Sequence, residues 1–256
     1  MHMADALLTP AVAGVMYAAS AVVAGASIVE LHKEEKQDLT SAAKKLPTMA
    51  VMSALVFAGQ MINYTIPGTG SSGHLCGGLL LTSVLGPWAG FLSMIVILAI
   101  QCLFFADGGL LALGANVWNM AFYGCFVGYF LIYRPLMRSR CFARRGERAA
   151  NRLKITLASV LGCVLTLQLG AFSVVLETTL SGITDLPFGA FCAIMQPIHL
   201  AIGLIEGLIT AAVLLFLYEA RPELLRDVRM SGETTGKVSF KGTIAVIAIA
   251  AVLVGG

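Results

Sequence analysis

Charge is the scarcest ingredient of this chain. Lys, Arg, Asp and Glu make up 12% of its 256 residues, whereas 58% are hydrophobic. A soluble domain carries about 25% charged residues, so a water-soluble globule is excluded. The six cysteines, Cys76, Cys102, Cys125, Cys141, Cys163 and Cys192, lie mostly in apolar runs with no CxxC pair. That excludes a zinc or disulfide framework and leaves them as small hydrophobes. No HExxH and no nucleophile–base set is present. The stretch Gly232-Glu233-Thr234-Thr235-Gly236-Lys237-Val238 superficially resembles a P-loop, but it has one residue too few between its glycines and no Ser or Thr after Lys237. ATP hydrolysis is therefore not expected here. The net charge of +3 does not point to nucleic acid, because the basic residues have a membrane explanation.

What the chain has in quantity is apolar runs close to the ~20 residues that span a bilayer as a helix. The first covers residues 10–31, with Gly14/Ala18 and Ala21/Gly25 at i, i+4, a pattern that lets helices approach closely in lipid. A second span covers 46–63, followed by a polar glycine-rich loop to His74. Residues 75–106 are too long for one crossing, and Gly86-Pro87 divides them into a short span, 75–86, and a longer one, 88–106. Asp107-Gly108-Gly109 is a tight turn. Further spans are 110–133, 155–181 and 190–218. All 17 Lys and Arg fall in three segments, 32–45, 134–154 and 219–241. Cytoplasmic loops collect Lys and Arg. Seven spans put these segments on one side only if 75–106 crosses twice, and that arrangement places Met1-His2 and His74 together on the outer side. The expected fold is an all-α polytopic membrane protein with seven transmembrane helices in residues 1–220. A basic cytoplasmic linker and the start of a further helix at 242–256 follow in 221–256.

The first two residues carry an unusual donor set. A histidine at position 2 places three nitrogens on one short stretch: the Met1 amine, the His2 amide and the His2 imidazole Nδ1. Bound to one metal they close a five- and a six-membered ring and fill three corners of a square. A deprotonated amide demands a metal that prefers tetragonal nitrogen, such as Ni(II), Cu(II) or low-spin Co(II). The reading needs a free amine. No signal-peptide pattern opens the chain, and methionine aminopeptidases spare Met before a large residue, so Met1 is expected to stay. The fourth corner falls to one of His32, His74 and His199. The plain alternative is an arbitrary second residue on a frayed terminus.

Four stretches carry a family resemblance: Met1-His2-Met3-Ala4-Asp5; Gly68-Thr69-Gly70-Ser71-Ser72-Gly73-His74-Leu75; Leu113-Gly114-Ala115-Asn116-Val117-Trp118-Asn119-Met120; and His199-Leu200-Ala201-Ile202-Gly203-Leu204-Ile205-Glu206-Gly207. Together they resemble the CbiM/NikM family, cobalt- or nickel-specific substrate-capture (S) components of energy-coupling-factor transporters, over roughly residues 1–220. The resemblance implies an S-component fold with an outward-facing terminus threaded into the helix core. It implies a planar site of four nitrogens from Met1, His2 and His74, with Ni(II) or Co(II) as transported substrate and no organic cofactor. The implied partners are a coupling membrane protein, ATPase subunits and a small accessory membrane component, fused or separate. Cys76 stands where the family pattern has glycine.

Other polar residues in the spans have two readings each. Asn116 and Asn119 share a helix face and, with Ser72, either support the ligands from behind, by orienting His2 or His74, or simply bond across helices. His199 and Glu206 are functional candidates as intramembrane ionisable groups, or else a buried polar pair joining helices. Glu177 is a residue of the same kind. His32 belongs to the charged loop, and the basic 134–154 segment faces partners or anionic lipid heads. Two competing classes are an intramembrane metalloenzyme using His199 and Glu206, and a metal-ion channel, which tight chelation disfavours.

Overall fold

A computed structural model describes residues 1–37, 39–139, 142 and 146–227 of the chain. Seven helices build it among the described residues: α1 (Pro10–Gln37), α2 (Leu39–Gln60), α3 (Gly78–Leu85), α4 (Pro87–Phe105), α5 (Leu113–Arg138), α6 (Glu147–Ser181) and α7 (Phe188–Ala220). Of these, α1, α4, α5, α6 and α7 are long and apolar enough to cross a membrane. The protein is a multi-pass helical membrane protein, as its apolar runs require.

Several boundaries differ from the sequence expectation. The charged segment 32–45 is largely helical, because α1 and α2 run on into it. Glu and Lys are good helix formers once the chain has left the apolar layer. The same holds at Arg134–Arg138 and from Glu147 onward. The polar stretch expected as a loop is instead a hairpin, β1 (Asn63–Ile66) against β2 (Ser71–His74), with Asn63 opposite His74 and Ile66 opposite Ser71. Its turn uses Gly68 and Gly70 at φ 75° and 64°, a region L side chains avoid. The Gly14 and Gly25 positions on α1, expected at a close helix contact, have no neighbour within 4 Å of an added Cβ. The expected helix at 242–256 lies outside the described residues.

The middle of α5, Val117–Tyr133, is wound as a π-helix, an unusual length for a form found mostly as single turns. Helix α3 is the centre of the bundle. Seven of its eight residues are buried, and it touches α2, α4, α5, α6 and α7. At 1.5 Å per residue it rises only about 12 Å, roughly half a hydrocarbon layer. It begins after Gly77 (φ 74°), where a Cβ would meet Val56 Cγ1 at 2.5 Å, and stops at Gly86 (φ 88°) before Pro87. Its N-terminal end follows the hairpin directly, with three residues between His74 and Gly78. Leu225 is buried beyond the other end, where the Arg226 N–H donates to the Ser83 carbonyl (3.3 Å).

Close approach of helices occurs at α6 and α7. A Cβ added at Gly207 would lie 2.5 Å from Val160 Cα, and one at Gly203 would lie 2.9 Å from Val164 Cα. Gly207→Ala should therefore force the two helices apart and destabilise by about 1–3 kcal/mol, read as a lower thermal midpoint of the purified protein. Gly14→Ala, which meets open space, should leave the midpoint unchanged.

Candidate metal centre

The chain terminus is a structural element here. Met1, His2 and Met3 are buried, and they run beside β2, bridged to it in antiparallel fashion at Met3. The Met1 amine donates to the Ser72 carbonyl, the Ser72 N–H donates to the His2 carbonyl (3.2 Å), and Met3 bridges to Ser71. On the other flank, the Gly109 N–H donates to the Met3 carbonyl (2.9 Å). Asn116 completes the clamp: its Oδ1 accepts from the Met3 N–H (2.8 Å), and its Nδ2 donates to the Met3 carbonyl (3.2 Å). The Met1 side chain lies against Gly170 of α6, where an added Cβ would sit 2.6 Å from Met1 Sδ.

Within this frame particular nitrogens stay uncommitted. The His2 N–H donates to no partner among the described residues. His2 Nδ1 stands 3.1 Å from Asp107 Oδ1, and its Nε2 is buried without a bonded partner among the described residues. His74 Nδ1 donates to the Leu75 carbonyl (2.7 Å). That bond fixes the tautomer, so Nε2 carries the lone pair, buried and unpartnered. The His2 and His74 rings face one another, centroids 4.5 Å apart and planes at 30°.

Burial sets the protonation of these groups. Desolvation is the largest influence on the Met1 amine and takes it down to about 5, against smaller opposing effects of Cys76, Asp107 and Glu206. Desolvation also drives His74 well below the ordinary imidazole value, helped by the nearby amine and His2. It lowers His2, with Asp107 opposing. At neutral pH all three nitrogens are therefore unprotonated and hold lone pairs that can bind a metal. Among the described residues no three His, Cys, Asp or Glu side chains converge as a metal cluster.

Structure separates the remaining candidates. Asn116 holds the Met3 backbone and bonds neither imidazole, unlike the orienting role expected of it. Asn119 Nδ2 donates to Glu177 Oε2 (2.7 Å) and reaches Met3 Sδ (3.7 Å). Ser72 acts through its backbone, while its hydroxyl is buried and unbonded. His199 and Glu206 are both buried but are not the polar pair expected. His199 Nδ1 donates to Met195 of its own helix (2.8 Å). The Glu206 carboxylate accepts the N–H groups of Cys76 (2.6 Å) and Gly77 (2.9 Å), two and three residues beyond His74. His32 is exposed on α1. The residue that sequence reading passed over is Asp107, because an Asp-Gly-Gly turn carries no mark of what its carboxylate faces.

Asn116→Ala should leave both polar groups of Met3 with one bond fewer in a buried setting, at about 1–3 kcal/mol for each group left unsatisfied. Amide exchange at Met3 should speed up relative to the parent, while exchange in α6 and α7 stays put. Equal protection at Met3 would mean the clamp contributes nothing.

Comparisons with known proteins agree with this architecture. The chain is 38% identical over 250 residues to a putative fused nickel transport protein, NikMN, of Archaeoglobus fulgidus, covering 97% of this chain and 75% of that protein. It is 35% identical to a putative metal transport protein of Haloquadratum walsbyi, covering 88% and 93% of the two chains. The crystal structure of a truncated transition metal transporter superposes with a TM-score of 0.70 at 32% identity, over 86% of this chain and 99% of that one. Residues 2–224 match the family model of the cobalt uptake substrate-specific transmembrane region, CbiM, and with the fold and the threaded terminus in view the chain belongs to that family.

Proposed function

We propose that the chain is the substrate-capture membrane subunit of a metal importer, taking up Ni(II) or Co(II) through four nitrogens: the Met1 amine, the His2 amide, His2 Nδ1 and His74 Nε2. The observation that carries this reading is the convergence of a buried terminal strand with a histidine whose Nε2 is left without a partner. The His2 amide, donating to nothing, loses no hydrogen bond when a metal replaces its proton.

The terminus and the hairpin face the outside of the cell membrane, and the segments rich in Lys and Arg face the cytoplasm. Metal is stripped of water in the square on the outer side and leaves inward after the subunit is reoriented. The chain itself does not hydrolyse nucleotide. A coupling membrane protein and ATPase subunits of the energy-coupling-factor type supply the work, and the fused NikMN relatives suggest a small accessory membrane component. An enzymatic centre at His199 and Glu206 has less support. The Glu206 carboxylate is committed to the Cys76 and Gly77 N–H groups. His199, whose Nε2 is buried without a partner among the described residues as that of His74 is, has no terminal amine and amide beside it.

His74→Ala removes the fourth corner and admits water. Calorimetry should show affinity falling by well over the ~10–100-fold typical of residues behind a ligand. An unchanged dissociation constant would place the fourth donor elsewhere.

Inserting one alanine between Met1 and His2 leaves the six-membered imidazole ring as it is but adds a second amide and a second five-membered ring. Four chain nitrogens then compete with His74, and the imidazole moves on by a residue. Metal uptake should drop to background while the protein still inserts. The nickel-loaded parent should be diamagnetic, as a low-spin square-planar d8 ion is. A paramagnetic six-coordinate spectrum would rule out the amide-bound square.

A further inference from the structure

A cavity of about 360 Å3 opens beside the terminal strand, lined among others by His2, Asp5, Thr65, Ser72 and Asp107. Two carboxylates border it. Asp5 is exposed and already accepts the Ala112 N–H (3.1 Å). Asp107 differs in three respects. Its Oδ1 lies against His2 Nδ1 at 3.1 Å. Its Oδ2 accepts from Asn63 Nδ2 of β1 (2.7 Å). Its backbone is pinned on both sides, since the Asp107 N–H donates to the Gln101 carbonyl (3.1 Å) and the next turn residue but one, Gly109, donates to Met3. The carboxylate is thus tied to the hairpin, to α4 and to the terminal strand at once. No Lys or Arg occurs in the neighbouring segments 63–74 and 107–109, and no Lys or Arg forms an ion pair with Asp107 among the described residues.

We propose that Asp107 is the counter-charge of the nitrogen square: it draws the divalent cation into the cavity and balances the charge of the loaded site without becoming a ligand. The inference rests on the metal-capture reading above. A dication bound through one deprotonated amide leaves a single positive charge in a buried place, and one carboxylate beside it makes the site neutral. An uncompensated buried charge is costly. The four corners of the square are taken by nitrogen, so a carboxylate beside His2, with its Oδ2 bonded to Asn63, flanks the square. Before the ion arrives, the same carboxylate borders the cavity in contact with His2, and such a charge in a low-dielectric cleft raises the local concentration and the on-rate of a cation.

The test uses the purified full chain and nickel(II) chloride as probe, following the visible band of the nitrogen-bound ion by stopped flow at several ionic strengths. Asp107→Asn keeps the size of the side chain and a hydrogen-bonding group for Asn63 but removes the charge. Asp107→Glu keeps the charge. For Asp107→Asn the association rate should fall by about tenfold or more at low salt, its salt dependence should flatten, and affinity should drop, while the band stays where the parent has it. Asp107→Glu should restore most of the rate and the salt dependence. An association rate and salt slope equal to the parent's in Asp107→Asn would overturn the proposal. A displaced band in that variant would overturn it too, by making Asp107 a ligand. If the parent itself gives no nitrogen-bound band, it is the four-nitrogen reading that fails, and this inference fails with it.

Discussion

The structure depends on the pairing of the main chain at residues 1–3. A chain terminus is ordinarily frayed, because ordering each backbone residue costs about 1–2 kcal/mol. Here the terminus lies inside a helical bundle, where backbone groups without partners cost more still. It stays because most of its polar groups are met. The Met1 amine and the His2 carbonyl are taken by Ser72, and both groups of Met3 are taken by Asn116, with Gly109 adding a second donor to the carbonyl. The short α3 makes the room, and Gly170 makes space for the Met1 side chain. Each of these features would be a defect in an ordinary bundle. Together they hold a terminal amine, an unbonded amide and an imidazole at fixed positions.

The large features of the fold were legible in the amino-acid order, and the small ones that build the site were not. Apolar runs and the Gly86-Pro87 break predicted seven helices, and seven are present among the described residues. The hairpin was missed because its strands are only four residues long and Ser71–His74 is polar with a glycine, although Asn63-Tyr64-Thr65-Ile66 does alternate polar with apolar residues. The charged segments were read as loops because hydropathy reports where a helix leaves the membrane and says little about where it ends. For Asn116 the sequence suggested an imidazole as its partner, and the structure supplies the Met3 backbone. The pairing of a side chain with main chain more than a hundred residues away has no signature in composition or spacing. Glu206 is a similar case. Its sevenfold spacing from His199 puts the two on one face, yet its carboxylate takes the Cys76 and Gly77 N–H groups.

That contact explains how His74 is held. β2 ends at His74 and α3 begins at Gly78, so three residues connect a sheet edge to a buried helix start. Two of those three N–H groups would point into an apolar core with nothing to accept them. Glu206 accepts both, and a carboxylate at a helix N-terminus is also favoured by the helix dipole. With residues 76 and 77 fixed, and Nδ1 bonded to Leu75, the ring of His74 can neither change tautomer nor swing without breaking a buried bond.

A site whose donors are half main chain selects differently from one built of side chains. Side-chain imidazoles and thiolates bind zinc readily, and they accommodate its tetrahedral preference. In the proposed square a backbone amide has to lose its proton, which only a metal with a strong tetragonal preference compensates. Zn(II), with no preference from its d electrons, gains little from the plane, and Mg(II) and Ca(II), which favour oxygen, gain less. Rigidity sharpens the contrast. The terminal strand is clamped on two sides and His74 on a third, so the donors cannot fold out of plane to suit a tetrahedral ion. The same argument does not exclude Cu(II), which binds nitrogen donors more tightly than Ni(II) or Co(II) in the general affinity order. The proposed square would therefore filter by coordination preference, and separation among the ions that pass it would have to arise from which of them is supplied to the site.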